Sequence, residues 1–437
     1  KRMKNINIRT IITLGFALFA MFFGAGNLIL PPFIGLETGD QWLYGIIGFG
    51  ITGIIGPFLG LLAVIFSGES FFDLGKKIHP LFSVVMGTII MLCIGPIIAI
   101  PRTSSLTYEI GIQPFFPYIN SYVGSFVFFA VVIALSFSKS KIVDIIGNFL
   151  TPVLLLILFY LLYVGIINPV STDYESLVSK SAAFGFGFVE GYQTLDVLAS
   201  VIFAGIIIGA TQTKGYHTIK ERTRVSIFAG LLAIFFLLII YGGLVYLGAS
   251  SGVTNHSIFR TELLISIAHT LLGSSSTILL SICIALACLT TAIALTGAVA
   301  SFFEQITRGF LPYKIGVLLC SFVAYMFSIM SVDEIIEFAV PILVFVYPIV
   351  LTLVLFVVLF SRTIKGKLPY IGAVIGTAMV AALGFLQHFN LLNEPLIALR
   401  ESLPLYAYEL EWLLPAIGFF VVFCLVEYML KSRNISR

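Results

Sequence analysis

Two stretches of this 437-residue chain combine residue types that apolar sequence seldom carries. The first, Phe23-Gly24-Ala25-Gly26-Asn27-Leu28-Ile29-Leu30-Pro31-Pro32, sets two glycines and an asparagine inside an apolar run. The second runs Gly185-Phe186-Gly187-Phe188-Val189-Glu190-Gly191-Tyr192-Gln193-Thr194-Leu195-Asp196 and holds two carboxylates, an amide and three glycines. Both are predicted to unwind a helix. An unwound helix offers free N–H groups and positive dipole at one half-helix end, and carbonyls at the other. The first kind of end suits a carboxylate and the second an ammonium group or a metal cation. A pair of such ends therefore suits a zwitterionic amino acid.

The elements that must hold these stretches follow from composition. Hydrophobic residues make up 59% of the chain and charged residues 10%, against about 25% charged in ordinary globular domains; mean hydropathy is +1.09. With 24 basic and 21 acidic residues a water-soluble chain of this length could not cover its surface, so the apolar surplus faces lipid. A net charge of +3, scattered along the chain, does not point to a nucleic-acid partner. The reading is an all-α polytopic membrane protein with twelve transmembrane helices, at roughly 10–36, 43–67, 81–110, 119–137, 143–166, 181–210, 223–248, 275–304, 311–330, 335–360, 369–389 and 411–430.

Lysine and arginine orient the chain. With both termini cytoplasmic, 20 of the 24 basic residues fall in inner segments, three (Lys180, Arg260, Arg400) fall outside and Arg102 lies within the third span. Residues 255–273 form an outer hairpin, expected to be helical from Glu262 to Leu272 and able to act as a lid. Cys93, Cys283, Cys288, Cys320 and Cys424 all sit in apolar stretches without metal-ligand spacing and read as small core hydrophobes. The opening Lys1-Arg2-Met3-Lys4 leads into the first span and not into a cleavable signal. Gly48-Phe49-Gly50-Ile51-Thr52-Gly53 matches a dinucleotide fingerprint only formally, since it lies inside a span.

The two unusual stretches fall in spans one and six. Gly24 lies about 21 Å along its helix, near the bilayer midplane. Unpaired backbone at that depth survives only when buried in protein or lining a cavity, so the two breaks are expected to share one site. Their offset of five reverses the direction of crossing, as in two inverted five-helix repeats. The expected organisation is a first repeat over 1–166, an inverted second over 181–360 and two added helices over 369–430. Glu190 and Asp196 could serve only as helix-end residues, yet ionisable groups inside a span remain functional candidates for coupling or gating. The same holds for Arg102 and Glu109, seven residues apart on one face of span three, about 10.5 Å along its axis and too far apart to pair.

With Gly24-Ala25-Gly26-Asn27 and Pro31-Pro32 in span one, Gly95-Pro96-Ile97-Ile98-Ala99-Ile100-Pro101-Arg102-Thr103 and Tyr108-Glu109 in span three, and Glu190 to Asp196 in span six, the chain resembles the bacterial branched-chain amino acid:cation symporters of the BrnQ type (LIV-II carriers), nearly end to end. The resemblance implies uptake of leucine, isoleucine and valine across the bacterial plasma membrane and a LeuT-like fold. It further implies that the substrate carboxylate meets N–H groups of Ala25 and Gly26, beside Asn27. The ammonium group would meet carbonyls of Phe23, Gly24 or Ala25 and of Gln193 or Thr194, in the segment that includes Glu190, Gly191 and Tyr192, with Tyr108 a further polar contact. Sodium, the implied coupling ion, would be held by carbonyls of Ala20 and Phe23 and by Ala287, Thr290 and Thr291 in span eight. No other cofactor is implied.

Those oxygens carry no obligatory carboxylate, which suits a monovalent ion. Proton coupling through Glu190 or Asp196 is the alternative, and an ion channel a more distant one. No P-loop, H-E-x-x-H or G-x-S-x-G is present, so the chain is expected to be neither an enzyme nor driven by bound ATP.

Overall fold

Asn7, whose side chain accepts the Arg9 N–H, starts the first helix, α1 (Ile8–Phe22), and Phe23 and Gly24 divide it from α2 (Ala25–Thr38), which holds Asn27, Pro31 and Pro32 within it. The computed structural model describes residues 7–138, 148, 151–172, 178–273 and 276–435. The basic residues Lys1, Arg2, Lys4, Lys139, Lys141 and Arg437 and the expected start of span five at 143 lie outside the described residues.

The remaining helices are α3 (Trp42–Gly50), α4 (Gly56–Ser67), α5 (Phe71–Gly75), α6 (Pro80–Leu92), α7 (Ala99–Leu106), α8 (Ser121–Ser136), α9 (Thr151–Ile167), α10 (Lys180–Glu190) and α11 (Asp196–Thr213). They continue with α12 (Ile219–Ala249), α13 (Arg260–Leu272), α14 (Ser276–Ile306), α15 (Tyr313–Phe327), α16 (Val332–Phe360), α17 (Leu368–His388), α18 (Glu394–Glu401) and α19 (Leu413–Ile435). No strand occurs among the described residues. Eight helical runs there are long and apolar enough to cross a membrane, and α1, α8, α9 and α15 are shorter apolar helices.

Two features differ from the expectation. Span three is not one continuous helix: α6 and α7 are joined through a wide turn at Cys93–Ile97, where Gly95 leaves helical geometry (φ −97°, ψ −120°) and Pro96 brings no N–H to the ladder. A second wide turn occupies Thr107–Ile112. The other addition is α18, a short polar helix between α17 and α19 with no buried residue, which apolar periodicity could not reveal. The helix expected between Glu262 and Leu272 does form, as α13, two residues earlier than its predicted start.

Glycines let the helices carrying the breaks approach their neighbours backbone to backbone. A Cβ on Gly48 of α3 would fall on the Phe184 carbonyl of α10, and one on Gly187 of α10 would fall on the Gly45 carbonyl of α3. Gly35 of α2 and Gly248 of α12 oppose backbone atoms of Val245 and Pro32 in the same way. Because no rotamer change can move a carbonyl aside, Gly48→Leu is expected to cost more than about 3 kcal/mol, the upper end of ordinary overpacking. The check is the yield of monodisperse protein on size exclusion in detergent, which should collapse for Gly48→Leu and stay normal for Gly418→Ala, where added carbon meets nothing within 4 Å.

Candidate functional site

At the end of α1 the backbone turns out of helix at Phe23 (φ −80°, ψ 85°) and Gly24 (φ −113°, ψ −158°). The Gly24 N–H bonds to Phe22 O at 3.0 Å and to Asn27 Oδ1 at 3.2 Å, so it does not return to the carbonyl of Ala20. That carbonyl and the carbonyl of Phe23 face α14 instead. The Thr291 hydroxyl donates to Ala20 O at 3.2 Å and lies 3.4 Å from Phe23 O. Thr290 Oγ1 is 3.4 Å from Ala20 O and 2.9 Å from Ala287 O.

Four of the five groups expected around a cation, the carbonyls of Ala20 and Phe23 and the hydroxyls of Thr290 and Thr291, thus meet between α1 and α14, and none is charged; the Ala287 carbonyl accepts the Thr290 hydroxyl within α14. Oxygens about 2.4 Å from one ion and about 90° apart stand about 3.4 Å from each other; the neighbouring oxygens here lie 2.9 to 3.4 Å apart. A hard, singly charged cation fits this set better than a divalent one, which would call for carboxylates. Among the described residues no cluster of three or more His, Cys, Asp or Glu could hold a metal.

The second break begins where α10 ends at Glu190. Gly191–Thr194 form a tight turn, Leu195 takes left-handed geometry (φ 63°) and α11 starts at Asp196. Thr194 ties the corner together, its hydroxyl donating to Gly191 O at 2.8 Å and accepting the Asp196 N–H at 3.2 Å. Asn27 joins the two breaks: its Nδ2 donates to Asp196 Oδ2 at 2.7 Å and to the Tyr241 hydroxyl of α12. Asn27 and Asp196 are both 2% exposed.

Arg102 of α7 reaches into the same place. Its Nη2 donates to Gln193 O at 2.6 Å, and a Cβ on Gly26 would stand 2.9 Å from that nitrogen. Between the breaks remains a cavity of about 20 Å³ bounded by Gly24, Gly26, Asn27, Arg102, Thr194 and Asp196, room for little more than one water. An amino acid enters only if these walls part. Sequence reasoning assigned Arg102 to coupling or gating without placing it between the breaks. It also missed Tyr241 and the apolar lining of the cavity, Phe22, Ile94, Ala99, Ala199 and Leu295. Tyr241, one of two tyrosines in the apolar run of α12, carried a weak signal; the apolar lining residues carried none.

Other expected residues point elsewhere. Glu190 turns toward α13, where Arg260 Nη2 lies 3.1 Å from its Oε1 and Arg260 Nη1 lies 2.9 Å from Asp333 Oδ1 of α16. The guanidinium also covers the Phe33 ring of α2 at 4.1 Å. Arg260 therefore fastens α13 across three elements. Tyr192 stacks on Tyr347 with ring centroids 4.3 Å apart and lines a different cavity of about 690 Å³, alongside residues of α16 and α17. Gly191 packs on Thr52, and Gln193 contributes its carbonyl and not its side chain.

Tyr108, expected near the substrate, donates to Ile119 O at 2.9 Å, and Glu109 Oε1 accepts the Val332 N–H at 2.9 Å. Both line a third cavity of about 590 Å³ beside α13. Tyr108 and Glu109 themselves belong to the wide turn at 107–112, just past the end of α7 at Leu106, and face this cavity and not the breaks.

The family model described as "Branched-chain amino acid transport protein" matches residues 7–430. The chain is 35% identical over 427 residues to the branched-chain amino acid permease BrnQ of Bacillus subtilis, covering 95% of this chain and 96% of that protein. It is 32% identical over 440 residues to the permease BraB of the same organism, covering 99% of each. Among solved structures it is similar to Mhp1, a nucleobase-cation-symport-1 family transporter, closed with bromovinylhydantoin bound: TM-score 0.67 at 15% identity over 97% of this chain and 93% of that one. The inward-facing conformation of Mhp1 gives 0.57 at 12% identity, over 98% and 96%.

Proposed function

Because the chain belongs to the branched-chain amino acid transport protein family, we propose that it imports leucine, isoleucine and valine by sodium-coupled symport with alternating access. It is a multi-pass membrane transport protein and not an enzyme. The observation that carries the coupling is the meeting of Ala20, Phe23, Thr290 and Thr291 oxygens directly against the break that bears Gly24 and Gly26. An ion there stabilises the unwound turn that receives the amino acid, so each ligand raises the affinity for the other by the same factor.

In this reading the carboxylate takes N–H groups of Ala25 and Gly26 and the ammonium group takes carbonyls of both breaks. The branched side chain takes the apolar wall of Phe22, Ile94, Ala99, Ala199 and Leu295, where each buried methylene contributes about 0.8 kcal/mol. Twelve spans arranged as two inverted repeats, 1–166 and 181–360, followed by helices over 369–430, place spans one and six antiparallel about the site. With both termini in the cytoplasm of a bacterial cell, α13 covers the outer side.

The ion pairs of Arg260 to Glu190 and Asp333 then hold the outer gate. They are only partly exposed, so they are screened less than surface pairs. Arg260→Ala is expected to speed dissociation of labelled leucine about tenfold, measured by chase with unlabelled ligand. An unchanged off-rate would remove Arg260 from the gate.

Proton coupling is favoured by one observation, the buried Asp196 carboxylate, which bonds to Asn27 and forms no direct ion pair among the described residues. Uptake of labelled isoleucine into proteoliposomes separates the two. Accumulation driven by an inward sodium gradient supports the first reading, and accumulation driven only by an inward proton gradient transfers coupling to Asp196. Accumulation against a gradient excludes a channel, and no accumulation under either gradient overturns the symport reading.

A further inference from the structure

Arg102 is a buried charge that no carboxylate contacts directly; the nearest influence of opposite sign is Asp196, across the shared cavity. It is 2% exposed, and its one hydrogen bond goes to a neutral carbonyl, that of Gln193. Its Nε and Nη1 are buried with no partner, and it forms no ion pair among the described residues. Asp196 shares the cavity but is held by Asn27. Removing a guanidinium from water with two donors unmet is costly unless something anionic meets it. These donors belong to a side chain that lies against Gly26, the second residue of α2, where the first N–H groups of the helix also lack intrahelical acceptors. Planar, forked donors match a carboxylate in two parallel hydrogen bonds.

We infer that Arg102 is a ligand of the substrate carboxylate, and that it exchanges partners on binding. Without substrate its Nη2 occupies the Gln193 carbonyl, one of the two carbonyl positions open to the ammonium group in span six. With substrate the guanidinium meets the carboxylate beside the N-terminus of α2, and the carbonyl passes to the ammonium group. A monocarboxylic amino acid without charge in its side chain leaves the site neutralised at Arg102. A ligand lacking the carboxylate neither neutralises the guanidinium nor releases the carbonyl. The inference rests on the amino acid transport reading and adds to it the residue that selects for a free α-carboxylate.

The test is equilibrium binding of labelled leucine to the full-length protein in nanodiscs, with competition by unlabelled leucine and by leucinamide, its neutral carboxamide. Wild type is expected to prefer leucine at least about 100-fold. In Arg102→Gln leucine affinity should fall about 100-fold while leucinamide affinity changes less than about threefold, so the preference collapses. Arg102→Lys, which keeps the charge but not the fork, should retain an intermediate preference. An equal loss for both ligands in Arg102→Gln, or a preference left intact, would overturn the assignment. Should Arg102→Gln not fold, the wild type decides alone: equal affinity for leucine and leucinamide rules the inference out. Failure of the wild type to bind leucine, isoleucine or valine is a separate outcome, and it removes the transport reading together with the inference built on it.

Discussion

Gly26→Val abolishes leucine binding, with affinity expected to fall more than about 100-fold while the protein remains folded. Gly26 is the second residue of α2, a position where a β-branched residue is sterically acceptable to the helix itself. The space beyond it is not free. A Cβ there would stand 2.9 Å from Arg102 Nη2, 3.2 Å from its Cζ and 3.3 Å from Leu30 Cδ1, and valine adds two further carbons toward the cavity. The guanidinium can yield only by giving up Gln193 O, and the added methyls then fill the place from which a carboxylate would approach the N–H groups of α2. Gly26→Ala should fall between, about tenfold weaker, because its single carbon asks only a small shift of a side-chain tip. Equilibrium binding with a parallel thermal melt checks both. Wild-type affinity in a folded Gly26→Val would mean that the carboxylate binds elsewhere.

The second large effect concerns the ion. Thr290→Ala combined with Thr291→Val deletes two of the four oxygens that meet between α1 and α14 and leaves the Ala20 and Phe23 carbonyls without their hydroxyl partners. The sodium concentration for half-maximal uptake should rise at least about tenfold, equivalent to about 1.4 kcal/mol of lost ion binding. By reciprocity, leucine affinity should weaken at limiting sodium and recover as sodium saturates. A titration of isoleucine uptake against sodium in proteoliposomes reads both. Identical sodium dependence in the variant would place the ion away from α14, whereas a uniform loss at all sodium concentrations would indicate damage to folding.

The breaks were legible because glycine, asparagine and glutamate are conspicuous against aliphatic sequence. The helices are interrupted at Phe23–Gly24 and at Gly191–Leu195, within the two conspicuous stretches, and Thr290 and Thr291 face the carbonyls of Ala20 and Phe23. Other features had no such contrast. Leu195 adopts a left-handed conformation that its residue type disfavours, held by its neighbours Thr194 and Asp196. Ile94, Ala99 and Leu295 look like any lipid-facing residue, since type alone does not tell cavity from bilayer. Tyr108 was assigned to the substrate by resemblance alone, and its hydroxyl instead donates to the Ile119 carbonyl. Arg102 shows the opposite limit: its burial was readable, but the partner it would meet depends on which helix lies opposite, and periodicity does not encode that.

The glycine contacts have a mechanical consequence. Gly35 and Gly248 bolt α2 to α12, Gly48 and Gly187 bolt α3 to α10, and a Cβ on Gly60 of α4 would fall on Ser200 of α11. On the other side, a Cβ on Gly95 would stand 2.6 Å from Val299 of α14, and one on Gly316 of α15 would stand 3.1 Å from Ala300 of α14. Three of the four half-helices, α2, α10 and α11, are thereby coupled to one block, while α14 belongs to another. Across the seam between the blocks near the midplane run the contacts that small solutes can replace: threonine hydroxyls on carbonyls, and one arginine on one carbonyl. In the proposed reading the ligands bind where these replaceable contacts lie, and the cargo itself would set how rigidly the two blocks are joined.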